Sequence, residues 1–502
     1  MIPRHRITQA ERARAVLGLC LVIATIMGIC WTHGVLATPS VGTIDTTGAI
    51  AIGRPFGMNS HGWGANPSEA ADMAAAGMQI GRTDVNWAAI EQVPGVYDFS
   101  WYDNLWSNLS AKGVDILALL DYGNANLFGP TQSQDISTPA EVAAWLAYVN
   151  ATVRHFDNGT SPIRQWEMWN EPNLSEFWNG TEEQFFSLVN VTGALIHSID
   201  PNLLLLSPGI SGPDLSYLDR LINYIGDANF SAWFGGLAFH CYSGSDAEVV
   251  ASSIEGVQAL CAQHHYYGHL WITEWGYSTT SDPTYVKQSF ALQGSLLTKV
   301  YSLSLARNIS RFFWYSFRED GFGVQYNPAA GYNTPGPEGQ NVPDPAGYAF
   351  ETLSTLLTDS TFLPGALVLQ ASFVPSSQLW AYAFLTATGH LVLVAWNSLG
   401  PYTLTLSSAA TIAAVVQIDP LTGTNATLPL PNPSLALGTE TPVIVDISFS
   451  GAVGPLTIQI LPAGYTALVL FGLPALFLAG ICACIWSYRK GERVILQAET
   501  SS

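Results

Sequence analysis

The chain has 502 residues, 48% of them hydrophobic and only 11% charged, and a formal net charge of −20. A charged share well under the usual one of about 25% excludes a disordered chain, and the length predicts two or three folded units. The acidic balance excludes a nucleic-acid partner, because neutralising phosphates needs a basic face.

At the start, Arg4, Arg6, Arg12 and Arg14 precede an uncharged apolar run from Ala15 to Cys30 and small residues around Val35-Leu36-Ala37. This order predicts an export signal over residues 1–37, read either as a cleaved signal peptide or as an uncleaved signal anchor. From 51 to 360, short apolar runs alternate with longer stretches of helical period. Strands are expected at 53–58, 78–84, 114–121, 163–170, 203–208, 237–242, 270–274 and 309–316, with helices between them. Strands separated by helices imply parallel βαβ units, and eight such units predict a (β/α)8 TIM barrel. A glycine-rich phosphate loop is missing after the first strand, which argues against a nucleotide site.

Over 361–463 the pattern becomes alternating β-branched and apolar runs with Gly, Pro and Asn turns, predicting a small antiparallel, sandwich-like β domain. Its expected strands are 378–386, 390–397, 402–406, 413–419, 442–449 and 456–461, and its role is read as a buttress or a sugar-binding surface. Tyr465 to Tyr488 is an uncharged run of 24 residues, long enough to cross a hydrocarbon core of about 30 Å. Arg489, Lys490 and Arg493 follow it, so 465–488 is expected to be a transmembrane helix, 489–502 a short cytoplasmic tail, and 40–463 extracytoplasmic. Between residues 15 and 488 lie 11 basic and 35 acidic residues, a net −24, which favours neutral or cationic partners over polyanions. Cys20, Cys30, Cys482 and Cys484 fall in the terminal apolar runs, leaving Cys241 and Cys261. Two cysteines are too few for a four-ligand zinc site; a disulfide and a pair of buried free thiols are the alternatives.

In a barrel of this type the reacting groups come from the carboxyl ends of the strands. The fourth expected strand runs into Trp169-Asn170-Glu171-Pro172 and the seventh into Ile272-Thr273-Glu274-Trp275-Gly276. A carboxylate closing an apolar strand is unfavourable inside and useful at a mouth, where water and substrate reach it. Strands four and seven are three steps apart in an eight-membered ring, so Glu171 and Glu274 can face each other. Two facing carboxyls, one kept protonated and one ionised, are what glycoside cleavage requires.

These motifs resemble the catalytic signatures of clan A glycoside hydrolases, retaining enzymes on (β/α)8 barrels. The run Trp169-Asn170-Glu171-Pro172-Asn173-Leu174 followed by Phe177-Trp178 is most similar to family 39 and its relatives, with family 5 next. The resemblance covers roughly residues 51–360, with the two motifs 103 residues apart. It implies Glu171 as general acid/base, Glu274 as nucleophile, Asn170 as partner of the sugar 2-hydroxyl, and Arg82 as the cation that keeps the nucleophile ionised. It further implies Tyr242 as a contact of the nucleophile, with His240 sharing its inward face, and Trp314 as the platform beneath the sugar. Cys241, between His240 and Tyr242, is expected to point outward, where Cys261 could meet it. Asn59 and His61, and Asp121 with Tyr122, are expected at the mouth, where contacts to sugar hydroxyls and loop hydrogen bonds are the alternatives; Trp87, Trp178 and Trp275 are read as either subsite walls or core fill. Glu167 has the opposite facing parity to Asn170 and is expected to bridge to the helical layer. The implied substrate is an oligo- or polysaccharide with β-links, cleaved without a metal or organic cofactor. A transglycosylase that remodels wall or exopolysaccharide, and a non-catalytic cell-surface carbohydrate-binding protein on an inactive barrel, are the alternatives.

Overall fold

The structure, a computed structural model, describes residues 43–129, 135–159, 162–242, 246–279, 289–318, 321–325, 342–370, 379–398 and 402–462. The signal expected at 1–37, the apolar run 465–488 and the tail 489–502 lie outside these residues. Among the described residues no helix is long and apolar enough to cross a membrane.

After a two-residue strand β1 (Ile50–Ala51), eight parallel strands close into a barrel: β2 (Phe56–Asn59), β3 (Ile80–Asn86), β4 (Asp115–Asp121), β5 (Gln165–Met168), β6 (Leu204–Leu206), β7 (Gly236–His240), β8 (His269–Trp275) and β9 (Ile309–Trp314). Pairing of β2 with β9 completes the ring. Helices pack outside it, and their starts are set locally. The helix Pro139–Asp157 opens with Pro139 behind a Thr138–Glu141 capping box, and Glu182–Ile199 with a Thr181–Gln184 box; each box satisfies backbone N–H groups that the first turn leaves without partners.

Strand alternation separates two cores. Ile80, Leu117, Leu206, Ala238, Trp271 and Phe313 face inward and fill the barrel floor, while their neighbours in sequence join the large core under the helices. The same inward rows continue toward the carboxyl ends through Arg82 and Asp84, Asp121, His240, and Thr273. In this way the floor registers the site above it.

The remaining strands are β10 (Thr361–Phe362), β11 (Leu367–Gln370), β12 (Leu379–Leu385), β13 (Leu391–Asn397), β14 (Tyr402–Ser408), β15 (Ile412–Ile418), β16 (Asn425–Thr427), β17 (Ser434–Leu437), β18 (Val443–Phe449) and β19 (Leu456–Pro462). They form a sheet ordered β1-β10-β12-β13-β18-β15-β16 and a second ordered β11-β19-β14-β17, enclosing a core of residues such as Leu393, Leu404, Val445 and Ile458. Two details correct the sequence-based expectation. β1 lies before the barrel yet pairs with β10, Ile50 opposite Phe362, and β11 runs parallel to β19 in a domain expected to be antiparallel. Strands of two to four residues are too short to show an alternation, so β10, β11, β16 and β17 were not expected either. β13 is buried on both faces: Leu391, Leu393 and Ala395 enter the sandwich core, and Val392, Val394 and Trp396 join the core beneath the barrel helices. Trp396 Nε1 donates to Glu248 Oε1 at 2.6 Å, and Lys299 Nζ to the Thr439 carbonyl at 3.0 Å, tying the sheet to the barrel.

Cys241 and Cys261 are buried free thiols, which decides against the disulfide. Cys241 follows β7 at the mouth, whereas Cys261 lies late in the helix Val249–Gln263 that runs back toward the amino ends. Twelve residues of helix rise about 18 Å, so the two thiols sit at different levels of the barrel. Burial pushes both upward, Cys261 to about 11.

Candidate active site

The site is organised on Arg82, which is 3% exposed. Its Nε and Nη2 donate to Glu167 Oε2 and Oε1 at 2.8 and 3.1 Å, Nη1 to Asn59 Oδ1 and Glu274 Oε2 at 2.9 and 3.2 Å, and Nη2 also to Asn170 Oδ1 at 3.0 Å. All five N–H donors of the guanidinium are thereby used. The planar fork suits bidentate pairing with Glu167 and leaves one edge for Glu274.

Glu167 is fully buried inside the barrel and takes a further hydrogen bond from Thr273 Oγ1 at 2.9 Å. This corrects the expected bridge to the helical layer. Trp169 and Glu171 have φ of 68° and 43°, left-handed values that bulky residues rarely adopt. They break the alternation beyond β5, so Glu167 and Asn170, three residues apart, both turn inward. The Glu171 amide donates to the Gly209 carbonyl at 2.8 Å, anchoring the irregular turn. A Cβ at Gly209 would lie 2.5 Å from Glu167 Oε1 and 2.8 Å from His240 Nε2, so only glycine lets the network close.

A register shift in β8 between Ile272 and Trp275 acts similarly, turning the consecutive residues Thr273 and Glu274 both inward. Glu274 accepts from Tyr242 Oη at 2.9 Å on one oxygen and from Arg82 on the other. Burial and the Glu274 charge hold the Tyr242 phenol well above its ordinary value, so it remains a donor. Glu171 Oε1 lies 2.8 Å from His240 Nδ1, and His240 Nε2 lies 3.2 Å from Thr273 Oγ1. Because the Thr273 hydroxyl hydrogen is given to Glu167, Thr273 can only accept from His240, which fixes the proton on Nε2. Nδ1 then shares one proton with the Glu171 carboxyl. Burial alone would raise Glu171, but the hydrogen bond and charge of His240, with smaller help from Ser211 and Arg82, draw it below its ordinary value.

One oxygen of Glu171, one of Glu274 and one ring nitrogen of His240 lie within 4.8 Å of one another. Asn170 Oδ1 is held by Arg82, and the Tyr122 hydroxyl takes a side-chain hydrogen bond from Asn170. Asn59 is buried, donating to the Thr273 carbonyl at 3.1 Å. Of the residues expected to bind substrate, Arg82, Asn59 and His240 therefore lie beneath the carboxyls and position them, whereas Asn170, Tyr242 and His61 border the opening.

Residues 95–266 match the sequence profile of glycosyl hydrolases family 39. This stretch is similar to family 39 and holds the Glu171 motif, in line with the resemblance; Glu274 lies outside it. The chain is 28% identical over 114 residues to a β-xylosidase of Geobacillus stearothermophilus, a match covering 22% of each chain. It is 33% identical over 79 residues to a β-xylosidase of Caldicellulosiruptor saccharolyticus, covering 15% of this chain and 16% of that one. The matched stretch is thus under a quarter of either relative. The fold is similar to that of a family 39 glycoside hydrolase from Bacteroides cellulosilyticus, with TM-score 0.61 and 19% identity over 81% of this chain and 83% of that one. It is also similar to a family 30 xylanase from Clostridium acetobutylicum, with TM-score 0.57 and 16% identity over 81% and 99%.

The platform expectation for Trp314 is corrected. Trp314 is fully buried in the helix-side core, its Nε1 donating to the Phe322 carbonyl at 2.9 Å. With Phe313 inward, alternation sends Trp314 outward and turns Tyr315 to the mouth, where its ring meets His61 edge-on at 5.2 Å. Trp87, Trp178 and Trp275 are likewise buried core fill. Thr273, Asp84 and Tyr315 were not singled out as site residues from the sequence; the signal for Tyr315 was the strand parity itself.

Proposed function

We propose that the chain is a retaining glycoside hydrolase cleaving β-linked glycans, with Glu274 as nucleophile and Glu171 as general acid/base. The observation that carries this reading is the spacing of under 4.8 Å between an oxygen of Glu171 and an oxygen of Glu274. Retaining sites hold their carboxyls about 5–5.5 Å apart, whereas inverting sites leave roughly 6.5–9.5 Å for a water. The Arg82 and Tyr242 hydrogen bonds support Glu274 as a carboxylate aimed at the anomeric carbon.

In the first step a Glu274 oxygen bonds to that carbon as its bond to the leaving oxygen breaks, and Glu171 delivers the proton shared with His240 to the leaving group. In the second step the Glu171 carboxylate takes a proton from water, whose oxygen displaces Glu274 and restores the β configuration. Asn170 strengthens its hold on the 2-hydroxyl as charge develops. Two relatives named as β-xylosidases favour a β-linked xyloside as substrate. The terminal segments read as signal and apolar span would hold this activity on the outer face of a membrane.

The test is turnover by the full chain of aryl β-glycosides. Glu274→Ala is expected to lower kcat about 10⁴-fold or more, and Glu171→Ala roughly 10²–10⁴-fold, with unchanged circular dichroism. Wild-type turnover in either variant, or a product of inverted anomeric configuration, overturns the reading.

A further inference from the structure

Above Arg82 lies a second carboxyl pair that the proposed reaction does not use. Asp84 is two residues beyond Arg82 on the same face of β3, about 6.6 Å nearer the mouth. Asp121 closes β4, is fully buried, and neither of its oxygens meets a donor among the described residues other than the neighbouring Asp84 carboxyl. Two carboxylates are both acceptors, so their contact needs a proton on one of them. Burial and the Asp84 charge place it on Asp121, held well above its ordinary value. Burial acts the same way on Asp84, but the hydrogen bond and charge of His61, then the Arg82 charge, outweigh it and keep Asp84 ionised. His61 Nδ1 is 3.1 Å from Asp84 Oδ2, and the two side chains remain 30% and 31% exposed. Next to Asp121, Tyr122 reaches Asn170. The wall therefore runs from the partner of the 2-hydroxyl to the open edge of the mouth.

We propose that Asp84, backed by Asp121 and flanked by His61, reads the hydroxyls of the sugar being cleaved and makes the site accept uncharged glycosides and reject uronates. An ionised carboxylate with an open side accepts hydrogen bonds from sugar hydroxyls. A sugar carboxylate in that place meets like charge: Arg82 has no N–H left to answer it, and His61 Nδ1 is already engaged by Asp84. The inference rests on the glycosidase reading and deepens it.

The test uses aryl β-xyloside, β-glucoside and β-glucuronide with one leaving group. The full chain is expected to show kcat/KM for the glucuronide about 100-fold or more below the better neutral substrate, and Asp84→Asn to lose roughly 10–100-fold on the neutral substrate while narrowing that ratio. Equal turnover of the glucuronide, or an unchanged ratio in Asp84→Asn, overturns the proposal. A difference infrared spectrum between wild type and Asp121→Asn at neutral pH is expected to show the carbonyl band of a neutral carboxylic acid; its absence removes the pair. Failure of the glycosidase reading shows instead as no turnover of any glycoside. Calorimetry with xylobiose and glucuronic acid then still decides: binding of the neutral sugar alone supports the wall, and binding of the uronate or of neither overturns it.

Discussion

The floor and the mouth of the barrel are built from the same strands by the same alternation, yet one is apolar and the other ionic. Below Arg82 the inward side chains include Ile80, Leu117, Leu206, Ala238, Trp271 and Phe313, one buried apolar cluster, with the Arg311 guanidinium 5.7 Å over the Trp271 ring. At Arg82 and above they are Glu167, His240, Thr273, Glu274 and Asp84, each held by a named partner, and Asp121, buried with no donor but the Asp84 carboxyl. The floor depends on volume, which many apolar side chains can supply. The mouth depends on pairing, which one substitution undoes.

The largest effect expected from breaking this contrast is at Arg82. Arg82→Met leaves Glu167 buried without its cation and Glu274 without its Nη1 donor, and is expected to lower stability by about 3–5 kcal/mol, with loss of turnover. Denaturant unfolding beside kinetics checks this, and adding Glu167→Gln is expected to restore more stability than turnover. A single Arg82→Met variant of native stability would show that the network is not what holds the mouth. Phe313→Ala at the floor is expected to lower stability by roughly 3–4 kcal/mol through its cavity, while kcat of the folded protein stays within a few-fold of wild type. A fall in kcat like that of the mouth variants would erase the distinction between the two ends.

The smallest effect lies outside the barrel, at its amino end. His264 Nδ1 and Nε2 each lie 2.8 Å from Asp227 and Asp219, side chains that join three helices. Burial would lower His264, but the two carboxylates outweigh it and its value is raised. The stabilisation is therefore complete below the unfolded value of about 6.5 and is lost as pH rises through the folded value. Between about pH 5 and pH 9, His264→Gln is expected to flatten the fall of Tm by a few degrees. An unchanged profile would remove the ionic role of the pair.

The eight strand–helix units, the two glutamates at the ends of strands four and seven, and the acidity of the central region were legible because each is local: a period, a motif, a count. Glu171 and Glu274 are found facing each other because ring order follows chain order in such barrels. The choice between disulfide and free thiols stayed open for a related reason, since direction of pointing is local but height along the barrel is not.

Facing beyond a strand's regular part was not legible. Glu167 was assigned outward by parity, and the left-handed Trp169 and Glu171 reversed the inference for the residues after them. Trp314 was given the platform by the resemblance, while the inward Phe313 on the floor turns Tyr315 to the mouth instead.

By itself, then, the sequence determined the barrel, the pair of carboxyls and the sign of the field around them, because these follow from hydrophobic period and residue identity. Only the tertiary structure decided that Arg82 spends all five donors on its neighbours, that Thr273 sets the His240 tautomer, and that Asp84 meets Asp121. Those outcomes rest on distances between residues tens to hundreds of positions apart, and strand register with two local breaks of alternation brings them within hydrogen-bond reach.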